Sequence, residues 1–114
     1  MTGDDRGDEA DPELPDAVDH VRLADLAARP GAAALGGSPR VVRLALEAGE
    51  SVPSHDHPGT TVVVYVVDGV VDVRLDGESH EVAAGELLRF PGERAVAPLA
   101  VEDAVALVFL VDDR

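Results

Sequence analysis

The sequence predicts an all-β domain, a small antiparallel β-barrel, on three observations. From Arg40 onward, short Val- and Leu-rich runs recur between turn signals at regular intervals, the pattern of antiparallel strands in a sandwich or barrel. Two of those signals are Asp-Gly pairs, Asp68-Gly69 and Asp76-Gly77, which suit tight hairpin turns that need positive φ. Within Val70 to Leu75, Val71, Val73 and Leu75 alternate with Asp72 and Arg74, the period of two that marks a half-buried strand.

Taken in order, the chain opens with an acidic, Pro-punctuated stretch, residues 1–19, with few large apolar side chains. It is expected to be a disordered tail, leaving residues 20–114 as the barrel domain. Val21 to Leu23 suggests a short strand, Ala24 to Ala28 a helical turn that Pro30-Gly31 would end, and the Ala/Gly-rich stretch from Gly31 to Pro39 a loop. Val41 to Leu46 is the first long strand. Thr60 to Val67 follows, apolar on both faces from Val62, which places it centrally with one face in the barrel and the other against a second sheet or subunit. Val70 to Leu75, Glu78 to Val82, Leu87 to Phe90 and Val105 to Val111 complete the expected strands.

Composition narrows the function. One domain is expected from 114 residues. Aromatic surface for stacking single-stranded nucleic acid is scarce, with Tyr65, Phe90 and Phe109 the only large aromatics. There is no cysteine, so disulfides, thiolate zinc sites and cysteine nucleophiles are excluded, and any metal must sit on His and carboxylates. Acidic residues number 23 against 9 basic ones, all Arg, for a formal net charge of −14. That balance argues against nucleic acid and anionic membranes as partners. It also repels itself in dilute buffer, a cost that molar salt removes, so a halophilic host is expected. No apolar run is long enough to span a bilayer and the N-terminus lacks a signal-peptide layout, so the expected location is cytoplasmic.

Four histidines are available for chemistry. His20 beside the acidic tail and His80 among Glu78, Ser79 and Glu81 are expected on the surface. His55 and His57 differ, because a His-x-His pair on extended chain presents both imidazoles on one side, close enough to chelate an ion or anchor a polar group. Competing chemistries lack their parts. Gly31 to Gly37 has neither the spacing nor the Lys of a phosphate loop, and Ser51 and Ser54 stand in no nucleophile elbow. Glu86, Glu93, Arg89 and Arg94 lie at strand ends and turns, where solvated charges are common.

Gly49, five residues, His55-Asp56-His57 and later Gly69 resemble the first motif of the cupin family, G(x)5HxH(x)3-4E(x)6G. Gly85, five residues and Pro91 resemble the start of the second, G(x)5PxGxxHxxxN. The resemblance runs from Val41 to Val111 and implies a small jelly-roll-like barrel, often dimeric, that binds ligands in its interior. It also implies a metal held by three His and one Glu, and here the sequence departs from the pattern. Val62, or Thr61 at the shorter spacing, stands where the glutamate belongs, Val96 where the third histidine belongs, and Ala100 at the asparagine.

The reading that follows is a barrel binding a small molecule, with His55, His57, Val62, Tyr65 and Val96 as candidate ligand-binding residues. His55 and His57 are candidate ligands for at most one weakly held divalent metal ion. A homodimer is expected, since a small domain gains by burying strand faces and edges against its copy. Two alternatives stand beside it: a metal-dependent enzyme of dioxygenase or isomerase type using the two histidines, and a non-catalytic dimeric interaction module.

Overall fold

The computed structural model describes residues 18–113, and the expected tail, residues 1–19, lies almost wholly outside them. Among the described residues there are eight strands: β1 (Gly31–Leu35), β2 (Arg40–Leu46), β3 (Thr60–Asp68), β4 (Val70–Leu75), β5 (Glu81–Ala83), β6 (Leu87–Pro91), β7 (Val96–Ala100) and β8 (Ala104–Asp112). They form a five-stranded sheet in the order β1-β2-β8-β3-β6 and a three-stranded sheet in the order β5-β4-β7, every pairing antiparallel. The domain is all-β, as the alternation predicts. Among the described residues there is no α-helix, and no helix long and apolar enough to cross a membrane.

The core lies between the sheets and is built from inward rows whose members are fixed by register. Arg40, Leu110, Val62 and Phe90 stand side by side across β2, β8, β3 and β6. Val42, Val108, Val64 and Leu88 form the next row, and Leu44, Ala106 and Val66 the one after. Val71, Val73, Leu75, Val82, Val96 and Ala100 face them from the smaller sheet and are buried in the same cluster. Small Ala104 and Ala106 opposite Leu46 and Leu44 let the two sheets close at that end. On the outer face of the larger sheet, Val41-Phe109-Val63 and Arg43-Leu107-Tyr65-Leu87 form two largely apolar rows, with Leu87 67% exposed.

Several local expectations need correction. Gly31 to Leu35 is a strand, not a loop: poor β-formers suffice because it is an edge strand with a partner on one side only, β2. Val21 to Leu23 is not a strand, and the helical turn is a single 3-10 turn over Leu23–Asp25. β7 was not expected because Pro98 interrupts its pattern. As the outer strand of the smaller sheet it tolerates the missing N–H, and the Pro98 carbonyl accepts a bond from the Val52 N–H at 3.0 Å. Asp76-Gly77 does form the β4–β5 hairpin, with φ of 52° and 85°. Asp68-Gly69 instead carries the chain from one sheet to the other. Gly69 has φ 80°, and a Cβ there would meet the Asp103 carbonyl oxygen at 2.0 Å.

Asp72 is the one buried charged residue among those described, 6% exposed on the outer side of β4. Its carboxylate accepts bonds from Ser79 Oγ (2.6 Å), Arg74 Nε (3.0 Å) and the His80 N–H (3.1 Å). His80 is therefore half-buried against β4 rather than free on the surface. Burial alone would raise the Asp72 pKa, but the bonds from Ser79, Arg74 and His80 outweigh it and hold the carboxyl below its ordinary value. A depressed folded-state pKa gives stability that is present above the unfolded value, about 3.9, and lost as pH falls through the folded one. Asp72→Asn is expected to melt about 5 °C lower at neutral pH, the effect of roughly 1 kcal/mol in a domain this size, and to lose less further stability than the parent below pH 4. Thermal melts of both proteins from pH 7 to pH 2 check this; parallel curves would remove the role given to Asp72.

Candidate functional site

A cavity of about 260 Å3 opens at the end of the barrel where β2 begins and β8 ends. Val42, Leu44, Val62, Val64, Phe90, Ala106, Val108 and Leu110 line it from the larger sheet, and Val71, Val73, Val96 and Pro98 from the smaller one. Arg40, His55 and His57 are its ionisable wall residues. Val66, Leu46 and Ala104 lie beyond its lining in the buried core and close the far end. The result is an apolar chamber with one polar rim, the usual make-up of a small-molecule site.

Backbone contacts fix the histidine loop at that rim. His55 exchanges two hydrogen bonds with Val96, its N–H donating to the Val96 carbonyl (3.0 Å) and the Val96 N–H to its own (2.7 Å). His57 donates its N–H to the Gly92 carbonyl (2.7 Å), and the Gly92 N–H donates to the Thr60 carbonyl (2.8 Å). The Thr60 hydroxyl donates to the His57 carbonyl (2.7 Å), and the Gly59 N–H to Glu93 Oε2 (3.0 Å). Gly92 is required by this close approach, since a Cβ there would lie 2.1 Å from the His57 carbonyl oxygen and 2.7 Å from that of Thr60.

The two imidazoles meet edge to face, with ring centroids 4.8 Å apart. His55 Nδ1 lies 2.9 Å from the Pro53 carbonyl oxygen. A carbonyl can only accept, so Nδ1 carries the proton there and the neutral ring keeps its lone pair on Nε2. Burial pushes the His57 pKa below its usual value, and the neighbouring His55 and Arg40 charges push the same way against Asp56. His57 is thus neutral near pH 7, a state in which imidazole can bind a metal ion or share one hydrogen bond with a ligand.

Of the residues singled out from sequence, His55, His57, Val62 and Val96 all line the cavity. Tyr65 does not. It alternates with Val64 and Val66 and faces outward beside Leu107 and Leu87. Sequence reasoning missed Arg40, although a signal was present: Arg40 is in phase with Val42, Leu44 and Leu46, the inward positions of β2. Whether a metal fits is decided by the donor set. Among the described residues no three His, Asp or Glu side chains cluster as a metal site, and the cavity wall holds two imidazoles and no carboxylate. The four-ligand cupin metal site is therefore not built by these residues.

Comparison with known proteins agrees with the architecture. A predicted oxalate decarboxylase from Thermotoga maritima superposes with a TM-score of 0.67 at 19% identity, over 82% of this chain and 98% of that one. A conserved protein of unknown function from Streptococcus pyogenes gives 0.66 at 19% identity, over 90% and 91%. A variant of the salicylate 1,2-dioxygenase from Pseudoaminobacter salicylatoxidans gives 0.59 at 19% identity, over 64% of this chain and 21% of that one. At such identities the likeness concerns the fold. No curated protein matches the chain in sequence. The family model described as the cupin domain matches residues 42–111, most of the two-sheet barrel and the whole histidine loop, and the chain belongs to the cupin family.

Proposed function

We propose that this cupin domain binds a small, mostly apolar molecule inside its barrel, with His55 and His57 as polar anchors at the rim and at most a weak divalent-metal site between them. The observation that carries the reading is the cavity itself, a closed-ended chamber walled by Val, Leu, Phe and Pro with its ionisable groups confined to one end. A metal-dependent enzyme is the second reading, favoured by the 4.8 Å approach of the two rings. It needs water or a substrate atom to complete a shell of two imidazoles.

Association of two copies belongs to the proposal. The outer rows Val41-Phe109-Val63-Arg89 and Arg43-Leu107-Tyr65-Leu87 offer a largely apolar face on a chain whose −14 charge opposes contact elsewhere. A two-fold interface is self-complementary, so one such face suffices for a pair. Sedimentation in molar salt should give twice the 11.8 kDa of one chain, and a monomer there would remove this element.

Metal titration of the untagged protein, beside a His55→Ala/His57→Ala variant, separates the two functional readings. Weak uptake, well below one equivalent at micromolar metal and lost in the variant, is expected. Stoichiometric uptake would put the enzyme first.

A further inference from the structure

We infer that the occupant of the barrel is a small organic carboxylate, its hydrocarbon part among the wall valines and its acid group at the rim against Arg40. The inference rests on the reading of the cavity as a binding site and adds the charge of what enters it. Its first support is a segregation of charge. The chain is rich in Asp and Glu, 23 in all, yet among the described residues none of them lines the cavity, whose ionisable wall groups are Arg40, His55 and His57.

Arg40 is also set apart from the other arginines. Arg22, Arg29, Arg74 and Arg94 each lie within 4.0 Å of a carboxylate, and Arg43 donates to the carbonyls of Leu26 and Ala28. Arg40 has neither kind of partner among the described residues. Arg89 shares that state, but it stands on the opposite sheet face, in the row of Val63 and Phe109. Arg40 stands in the row nearest the mouth, beside Leu110 and in line with Val62 and Phe90, and it is exposed there at the edge of the hydrocarbon wall.

An organic cation would meet this permanent positive charge with no counter-charge in the wall, and a neutral molecule would gain little from a guanidinium that solvent already hydrates at the rim. A carboxylate matches its planar fork, while the two imidazoles at the same rim can share a hydrogen bond with the same group. Asp56, whose charge acts on His57, lies outside the wall. At about 1 M salt the Debye length is roughly 3 Å, which screens the repulsion of the acidic surface but spares a pair in direct contact. Size agrees too, since a cavity of about 150 Å3 admits benzene, and about 260 Å3 leaves room for an acid group beside a body of that size.

The test is a titration in 1 M NaCl with octanoate, 1-octanol and octylamine, read from assigned valine methyl resonances, those of Val62 and Val96 above all. Octanoate is expected to bind at least about tenfold more tightly than either analogue. Arg40→Gln should bring it down to the level of octanol while the methyl spectrum stays dispersed. Equal binding of all three by the parent would overturn the inference and leave the cavity reading standing. Equal loss for all three in Arg40→Gln would make Arg40 structural and overturn the inference. Cavity methyls that respond to none of the three would overturn the binding reading along with it.

Discussion

Gly92→Ala is expected to lower the melting temperature by about 15 °C, corresponding to a loss of about 3 kcal/mol, and to disturb the imidazole resonances of His55 and His57. The cause is contact rather than conformation. The new Cβ would lie 2.1 Å from one backbone oxygen, 2.7 Å from another and 2.5 Å from the Thr60 hydroxyl, itself bonded to the His57 carbonyl. None of these groups is the free end of a flexible side chain, so the strand or the histidine loop must move, and the bond from the His57 N–H to the Gly92 carbonyl goes with it. Gly85→Ala provides the comparison. Gly85 has φ 86° and open space around its missing Cβ, so alanine there meets only the left-handed backbone cost, roughly 1 kcal/mol. Thermal melts and histidine proton spectra of the two variants decide the matter. Equal destabilisation, with both leaving the imidazoles unchanged, would show that Gly92 does not hold the loop.

Val62→Glu is expected to destabilise the metal-free domain by about 3 kcal/mol and to make its stability depend on divalent metal. Val62 is 1% exposed and lines the same cavity as the two histidines, so a carboxylate there is buried beside Val64, Phe90 and Leu110. With His55 and His57 it supplies two imidazoles and a carboxylate, a donor set that suits zinc with one position open. Metal at a hundredfold excess over its Kd adds about 2.7 kcal/mol, near 15 °C in melting temperature, whereas the parent should shift far less. A parallel metal response in the two proteins would mean that position 62 does not converge with the histidines. The same substitution should abolish octanoate binding, because it brings a like charge to the chamber.

The histidine pair and its strand context were legible because both are local: His-x-His spacing, glycine positions and alternating valines survive in a linear string. What was not legible depends on neighbours distant in sequence. Ala32 and Ala33 become strand only because β2 offers a partner, through Arg43 and Val42. Pro98 is tolerated only because β7 is an outer strand. Asp68-Gly69 is chemically a hairpin signal, yet it serves a crossing between sheets, since β8 and not β4 pairs with β3. Arg40 drew no attention in the sequence, because its place beside Leu110 and Val62 depends on β8 and β3. Tyr65 was assigned to the ligand by type, whereas the period of two places it on the other face.

The order β1-β2-β8-β3-β6 also bears on how the chain reaches this state. The strand latest in sequence, β8, stands in the middle of the larger sheet, with Arg40 of β2 opposite Leu110 on one side and Thr60 of β3 opposite Asp112 on the other. Before β8 leaves the ribosome, β2 and β3 have their facing edges unpaired, and the valines destined for the chamber have no floor. Folding must therefore wait for loop closures across much of the domain, the non-local kind of topology that folds slowly and leaves sticky edges open meanwhile. In dilute buffer, where the charge is not screened, the mutual repulsion of the acidic side chains opposes contact between copies in that interval; molar salt removes that protection and leaves folding speed to decide.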